Sequence, residues 1–167
     1  MFRPSRKGVI QPALDRFNAA RDSDGVVPLS TFPRASLGPA GAYALLAKVE
    51  GVRTDIRYEW IGDQLSRLYG HDASGARITT QLPKRFADDA LSSYRRAAIT
   101  KDPIIERRTL KLKGFIPYGY WRAMFPLSES GPKISHILVY VLPDLWWLNS
   151  RRDLRLDPMP SQSDRVE

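Results

Sequence analysis

Side chains that could carry out chemistry are few in this sequence. The chain has 167 residues, no cysteine and two histidines, His71 and His136. The lack of cysteine excludes disulfides, thiolate catalysis, flavin–cysteine photochemistry and cysteine-based metal sites. Two histidines leave little for a metal centre, which needs several ligands of this kind. No metal site is therefore expected, and no pattern in the sequence names a cofactor.

Patterns typical of enzymes are also missing. We find no glycine-rich phosphate loop, nucleophile elbow, histidine–carboxylate metal spacing, kinase phosphoacceptor or nucleotide-cyclase signature. Asp88 and Asp89 are adjacent on a predicted helix, so their carboxylates point apart and cannot act on one substrate. We therefore expect no enzymatic activity.

The remaining polar candidates each have a structural and a functional interpretation. His136 lies on an apolar strand, where a hydrogen-bonded core histidine is favoured over a haem or ligand contact. His71 lies in a turn and is expected to be a capping or surface group. Arg108 shares a strand face with Glu106 and could anchor a ligand carboxylate or phosphate. The favoured alternative is a mutual ion pair at the sheet rim.

The positive charge is unevenly distributed. The net charge is +8, and residues 93–122 hold eight Lys or Arg against two acidic residues, 8 − 2 = +6. Residues 1–21 add 5 − 1 = +4. A basic face could attract an acidic partner, nucleic acid or an anionic membrane. A solvated face without a partner is the favoured interpretation.

Length and hydropathy indicate one domain with extensions. No apolar run reaches the ~18 residues that a membrane span requires. The first residues, MFRPSRKG, are basic but no apolar core follows them, so a secretory signal is not expected. A cytoplasmic location is the resulting expectation.

A hairpin over residues 120–142 is the strongest structural pattern. Two apolar runs flank a polar break at Ser128–Lys133, as in antiparallel strands joined by a short loop. The second run, Ile134–Leu142, is apolar on both alternating faces. It is therefore predicted to be a central strand that is covered on both sides.

The N-terminal half is predicted to hold a helix and a second hairpin. Residues 1–9 are expected to form a frayed basic arm, followed by a helix over Ile10–Arg21. Three prolines predict an extended connector over residues 26–41, with at most one short turn. Alternating runs at 42–50 and 55–61 predict a hairpin, although a helix over the first run is the alternative.

Helical patterns separate this hairpin from the later strands. Helices are predicted over residues 62–69 and 83–101, with one helical turn at 78–82. A strand is predicted over Ile104–Lys113. The order of elements predicts an α+β fold: a five-stranded antiparallel sheet with helices on one face, plus an N-terminal helix. The expected division is 1–41 for the arm, helix and connector, 42–142 for the domain, and 143–167 for a C-terminal extension.

Several segments carry a resemblance to a known family. They are DSDGVVPLSTF after the first helix, the junction Arg57–Leu65, Leu68–Gly75, and Phe125–Gly131 leading into Ile134–Val141. In this order the segments resemble the standalone PAS-like sensory proteins common in alphaproteobacteria. The resemblance covers roughly residues 10–142. It implies a PAS fold and a sensory or interaction module in signal transduction that binds a small ligand or a protein and acts in trans.

The resemblance also implies a cavity between the sheet and its helices. Its candidate lining residues are Tyr58, Trp60, Leu65, Tyr69, Phe86, Tyr94, Arg108, Phe125, His136 and Tyr140. The alternative is that most of these side chains fill the core. Trp146 and Trp147 are candidates for a partner or dimer contact, or cover the outer face of the sheet.

Three rival functions remain open from the sequence. The first is a ligand-free dimerisation or scaffold module that uses the exposed sheet face, the first helix and Trp146–Trp147. The second is a nucleic-acid binder, in which Tyr118, Tyr120 and Trp121 lie near the basic strand. The weakest is an enzyme in a cone-shaped α+β fold. The expected partner is a second copy of the chain or a signalling protein, with nucleic acid less favoured.

Overall fold

The computed structural model describes residues 2–51, 55–82, 84–110 and 118–143. Four α-helices are described: α1 Gln11–Ala20, α2 Asp63–Tyr69, α3 Ile78–Gln81 and α4 Lys84–Thr100. The described strands are β1 Ala44–Val49, β2 Ile56–Ile61, β3 Ile104–Leu110, β4 Tyr118–Leu127 and β5 His136–Pro143. Residues 44–49 thus form a strand and not a helix, and the predicted hairpin with residues 55–61 is confirmed.

The described strands form one five-stranded sheet in the order β2-β1-β5-β4-β3, with every pair antiparallel. β5 is central, as its apolar run predicts, and seven of its eight residues are buried. Strands with apolar residues on both faces need cover on both sides. The sheet therefore has two cores, one on each face.

The helix-face core lies between the sheet and α2–α4. Its buried residues are Leu45, Ala47, Ile56, Tyr58, Ile61, Leu65, Ala73, Ile78, Ala90, Leu91, Tyr94, Ala97, Met124, Ile134, Ile137 and Val139. The outer-face core lies on the opposite side. Its buried residues are Val9, Ile10, Ala13, Phe17, Val27, Phe32, Leu37, Tyr43, Ala44, Leu46, Ala123, Phe125, Leu127, Leu138, Tyr140 and Leu142. Neighbouring residues of a strand alternate between the two cores, as the pleat requires.

Helix α1 covers the outer face of the sheet. Its Phe17 is fully buried, with its ring centroid 5.7 Å from that of Phe125 on β4. The helices that follow β2 all pack on the other face, as predicted. The N-terminal helix therefore supplies the cover that the second apolar face of β4 and β5 requires.

The prediction of a frayed arm over residues 1–9 is wrong for its second half. Arg6–Ile10 form a π-helical turn, in which Val9 and Ile10 are buried against the outer-face core. The Ser5 hydroxyl accepts a hydrogen bond from the Gly8 N–H at 3.0 Å and caps this turn. Apolar contact and a cap together order a stretch that its basic composition alone suggests is mobile.

The prediction of an extended connector is also wrong. Residues Leu29–Thr31 and Arg34–Tyr43 are 3-10 helical, with a break at Gly38. Pro28 and Pro33 stand at the N-caps of these segments. An N-cap residue has an extended backbone, here φ −64° and ψ 142° at Pro28, and the fixed φ of proline fits that conformation. The prolines therefore begin short helices here rather than keep the chain extended.

The junction between β2 and α2 requires glycine. The Gly62 N–H donates to the Ala44 carbonyl at 2.8 Å, which brings the two backbones together. A Cβ atom at position 62 would overlap the Gly41 and Ala42 backbone. This close approach fixes the start of α2, and so the placement of the helices over the sheet.

Candidate ligand site

Three of the residues expected to line a cavity meet in the helix-face core. Tyr58 of β2, Leu65 of α2 and Tyr94 of α4 are each less than 4% exposed. They pack with the apolar side chains of β1, β4 and β5. Phe86 of α4 is half-buried. The space between the sheet and its helices is thus largely filled by side chains.

Four of the expected residues lie on the other side of the sheet. Phe125 and Tyr140 are buried in the outer-face core, and Trp60 packs against it. His136 has the same parity on β5 as Tyr140 and so points to the same face. The sheet separates these residues from Tyr58, Leu65 and Tyr94, and one cavity cannot include both groups.

A β-bulge explains why the side chains of Trp60 and Tyr58 lie on opposite faces of the sheet. Two residues apart on a regular strand, they would share a face. The register of β1 with β2 shifts between Leu46 and Ala47, leaving Glu59 as the extra residue. An extra residue reverses the alternation beyond it. A bulge has no periodic pattern, so the sequence offers no means of locating it.

Arg108 belongs to a charged cluster between the sheet edge and α4. Its guanidinium contacts the Asp89 carboxylate and lies 3.9 Å from Oε2 of Glu106. Arg122 is 7% exposed; it donates to Ser93 Oγ at 2.8 Å and to Glu106 Oε1 at 2.5 Å. These contacts tie α4 to β3 and β4 and occupy the charges of Arg108 and Arg122 within the protein.

The ring nitrogens of His136 are both engaged by other side chains. Its Nε2 lies 2.9 Å from Glu59 Oε1, and its Nδ1 lies 2.8 Å from Ser135 Oγ. The same hydroxyl accepts a hydrogen bond from the Glu129 N–H at 2.8 Å. His71, in contrast, is exposed, with Nε2 2.7 Å from Gln81 Oε1. Within the described ranges, no group of three or more potential metal ligands occurs.

Some of the sequence predictions fall outside the described residues. These are Trp146, Trp147, the end of the strand predicted over Ile104–Lys113, and the turn after it. Tyr69 belongs to α2, and its side chain is not described. Among the described helices, none is both long and apolar enough to cross a bilayer.

A cleft opens where the helix-face core ends, beside the last turns of α4. We call it the α4 cleft; its volume is about 250 Å³. Its lining residues are Val49, Gly51, Ile56, Tyr94, Arg95, Ala98, Ile99, Lys101, Pro132, Lys133 and Ile134. Ligand sites are typically concave and mostly apolar, with a few polar groups. The α4 cleft has this composition.

Of the predicted cavity residues whose side chains the structure describes, the α4 cleft contains Tyr94 alone. The cleft instead draws on Arg95, Ala98 and Ile99 from the same helix. Ile99 is 72% exposed and lies away from the buried stripe of α4. An isoleucine off the apolar face of an amphipathic helix was the one sequence signal for this site.

The order of the elements and of the strands defines the fold. Two antiparallel strands are followed by helices and then by three antiparallel strands, in the order β2-β1-β5-β4-β3. This is the arrangement that the sequence resemblance implies. The fold is PAS-like. The PAS-like sheet carries one further layer, α1 and the connector, on its outer face.

Comparisons with known proteins add no argument to this assignment. No protein-family model and no curated protein matches the sequence. Similar solved structures include a fungal light-oxygen-voltage photoreceptor domain, 17% identical, TM-score 0.45, covering 80% of this chain and 90% of that one. The Rhodobacter sphaeroides LOV protein is 12% identical, TM-score 0.44, covering 84% and 71%. An RNA-binding light-oxygen-voltage receptor is 14% identical, TM-score 0.47, covering 90% and 37%.

Similarity at this level carries no argument about ligand, signal or partner. The composition of the chain does bear on one kind of chemistry. With no cysteine among its 167 residues, this PAS-like chain cannot form a flavin–cysteine bond. A light response of that type is therefore excluded for it, as the sequence indicates.

Proposed function

We propose that this PAS-like chain is a sensory module of signal transduction that binds a small molecule in the α4 cleft and acts in trans on a partner protein. The observation that carries the proposal is the position of the cleft. It lies at the open end of the helix-face core and includes Lys101, the residue directly after α4. A ligand there would contact both the sheet and the helix.

The same end of α4 is joined to the opposite face of the sheet. Arg21, directly after α1, donates to the Lys101 carbonyl at 3.1 Å and pairs with Asp102 at 2.6 Å. Lys101 Nζ in turn donates to the Asp24 carbonyl at 3.3 Å. A change at the α4 cleft can therefore reach α1 and the segment after it through direct contacts. A sensor must pass a change at its ligand site to a surface that a partner can bind, and direct contacts between packed elements provide such a route.

Part of the contact surface that the scaffold alternative requires is buried within the protein. It relies on an exposed sheet face, but α1 and the connector bury that face in the outer-face core. The exposed residues of α1 are mostly polar; they are Gln11, Pro12, Asp15, Arg16, Asn18 and Ala19. Stable dimer interfaces between identical chains tend to be more apolar than this.

Part of the positive charge that the nucleic-acid alternative requires is paired with acidic side chains of the protein. Arg96, Arg108 and Arg122 of the basic stretch form ion pairs with Glu106, and Arg108 also pairs with Asp89. Phosphate binding depends on cations that are free to replace counterions. A low-salt gel shift tests this alternative, and its absence would remove it.

Three measurements test the proposed function. Native mass spectrometry of protein purified from its own host should show a retained small molecule. A thermal-shift screen over metabolites of mixed charge should find a compound that raises Tm, because a ligand at ~100-fold its Kd stabilises by about 2.7 kcal/mol. Hydrogen exchange with that compound should slow at β1, at the end of α4 and in α1. The proposal fails if no mass is retained and no compound shifts Tm.

A further inference from the structure

We infer that the α4 cleft selects a small amphipathic anion, a molecule with an apolar body and one carboxylate or phosphate head. The inference rests on the proposed function and adds the chemical class of the ligand. Two features of the cleft carry the inference. Its floor is apolar, and the described residues of its rim include basic side chains but neither Asp nor Glu.

The floor of the α4 cleft is built from the edge of the helix-face core. Ile56 and Ile134 are almost fully buried, and Tyr94 is 3% exposed. Ala98 is half-buried, and Ile99 leaves most of its side chain in solvent. Covering this surface with an apolar body would be favourable, because it removes apolar area from water. A large exposed isoleucine beside a concave apolar surface is the feature that such a body would cover.

The rim of the cleft is cationic. Arg95, Lys101 and Lys133 contribute, and no Asp or Glu is among the described lining residues. Within the described part of the chain, Arg95 and Lys133 make no ion pair or side-chain hydrogen bond, whereas Lys101 donates to the Asp24 carbonyl. The nearby Asp102 carboxylate is occupied by Arg21 at 2.6 Å. The unneutralised charge at the rim thus favours an anionic head.

One electrostatic effect opposes an anion here. The cleft lies at the C-terminal end of α4, where the helix dipole is negative and disfavours an anion. The backbone N–H of Lys101 already donates to the Ala97 carbonyl at 2.9 Å, so it does not offset the dipole. Arg95 and Lys133 must outweigh the dipole. The head is therefore expected to bind through these side chains, and binding should weaken with salt.

The size of the cleft limits the ligand. At about 250 Å³ it is smaller than the roughly 300–1,000 Å³ of sites for drug-sized ligands. The ligand should accordingly be small, with a short acyl chain or a single aromatic ring as its apolar body.

Three probes of equal chain length separate the contributions of head and tail. We would titrate the full chain with octanoate, octyl phosphate and 1-octanol by calorimetry, at low and at moderate salt. Octanoate and octyl phosphate should bind and octanol should bind more weakly. Their relative affinities then indicate whether a carboxylate or a phosphate head fits better.

Matched variants locate the binding. Arg95→Met with Lys133→Met should weaken octanoate binding about fivefold, as expected for two exposed ion pairs. Lys84→Met removes one charge from the other end of α4, where its side chain is 89% exposed, and should leave binding unchanged. Ala98→Phe should fill the floor and abolish binding of all three probes, and a thermal melt confirms that each variant is folded.

The outcomes distinguish the ligand class from the proposed function. Equal binding of octanol and octanoate, or an unchanged octanoate affinity in Arg95→Met/Lys133→Met, would overturn the anion inference. The sensory proposal would survive that result if a neutral metabolite still bound in an Ala98-dependent manner. If no probe and no metabolite bound, both would fail.

Discussion

Arg21 and Lys101 are 80 residues apart in the chain, and the Arg21 guanidinium donates to the Lys101 carbonyl at 3.1 Å. This hydrogen bond joins the end of α1, on the outer face of the sheet, to the end of α4, on the helix face. The guanidinium also donates to the Gly25 carbonyl at 3.3 Å and pairs with Asp102. One side chain thus holds together the parts of the protein between which a signal would pass.

Removing this link should loosen the end of α4. We expect Arg21→Ala to lower the free energy of unfolding by about 1–2 kcal/mol, because several hydrogen bonds worth about 0.5–1.5 kcal/mol each are lost at a partly exposed site. Amide exchange at residues 97–101 should become faster. Denaturant unfolding and hydrogen exchange measure the two effects.

Arg16→Ala is the matched control for this prediction. Arg16 donates to Ser36 at 3.1 Å and lies over the Phe32 ring, so its contacts stay on the outer face. It should cost stability without changing exchange at residues 97–101. Equal effects of the two variants on that segment would contradict a specific role of Arg21.

Arg122 should be the most costly charge to remove. Its side chain is 8% exposed and faces Glu106, which is 22% exposed. Arg122→Met should destabilise by about 3 kcal/mol or more, because the carboxylate would remain in the interior without its main partner. Arg122→Met with Glu106→Leu should cost less than the sum of the single changes. Additive costs in denaturant unfolding would show that the two residues are not coupled.

Phe17 tests whether α1 is part of the folded core. Phe17→Ala should cost about 3–5 kcal/mol, since a fully buried ring is removed from a packed core. Ile99→Ala changes a side chain that is 72% exposed and should stay within about 0.5 kcal/mol of the parent chain. Similar stabilities of the two variants would mean that α1 is not firmly packed on the sheet.

Tyr140 should make the protein sensitive to alkali. Burial raises the pKa of Tyr140 from 10.0 to about 12. The folded state therefore holds this proton more tightly than the unfolded state. The resulting stabilisation is complete below pH 10 and is lost as pH rises from 10 to 12. At ~1.36 kcal/mol per pKa unit, it amounts to about 2–3 kcal/mol.

The Tyr140→Phe variant isolates this contribution. Its free energy of unfolding should fall less steeply than that of the parent chain over the same alkaline range. Chemical denaturation at a series of pH values gives both curves. Parallel curves would show that ionisation of Tyr140 does not contribute.

The periodicity of the sequence was enough to predict the sheet and most of its helices. The alternating run of β1 predicted a strand, and the run of β5, apolar on both faces, predicted the central strand. Both predictions were possible because the spacing of apolar residues along a strand indicates whether one or both of its faces are buried. Composition was sufficient to exclude thiol chemistry, since no arrangement in space can supply a missing cysteine.

Tertiary structure alone decided where α1 lies and where a cleft could form. An amphipathic pattern shows that α1 has a face to bury, but it does not say which surface will cover that face. The bulge at Glu59, which sends Trp60 and Tyr58 to opposite sides of the sheet, follows from pairing with β1. The α4 cleft, likewise, collects residues from β1, β2, α4 and the loop before β5. Contacts between segments so far apart in the sequence depend on how the elements pack, and the local spacing of residues does not predict them.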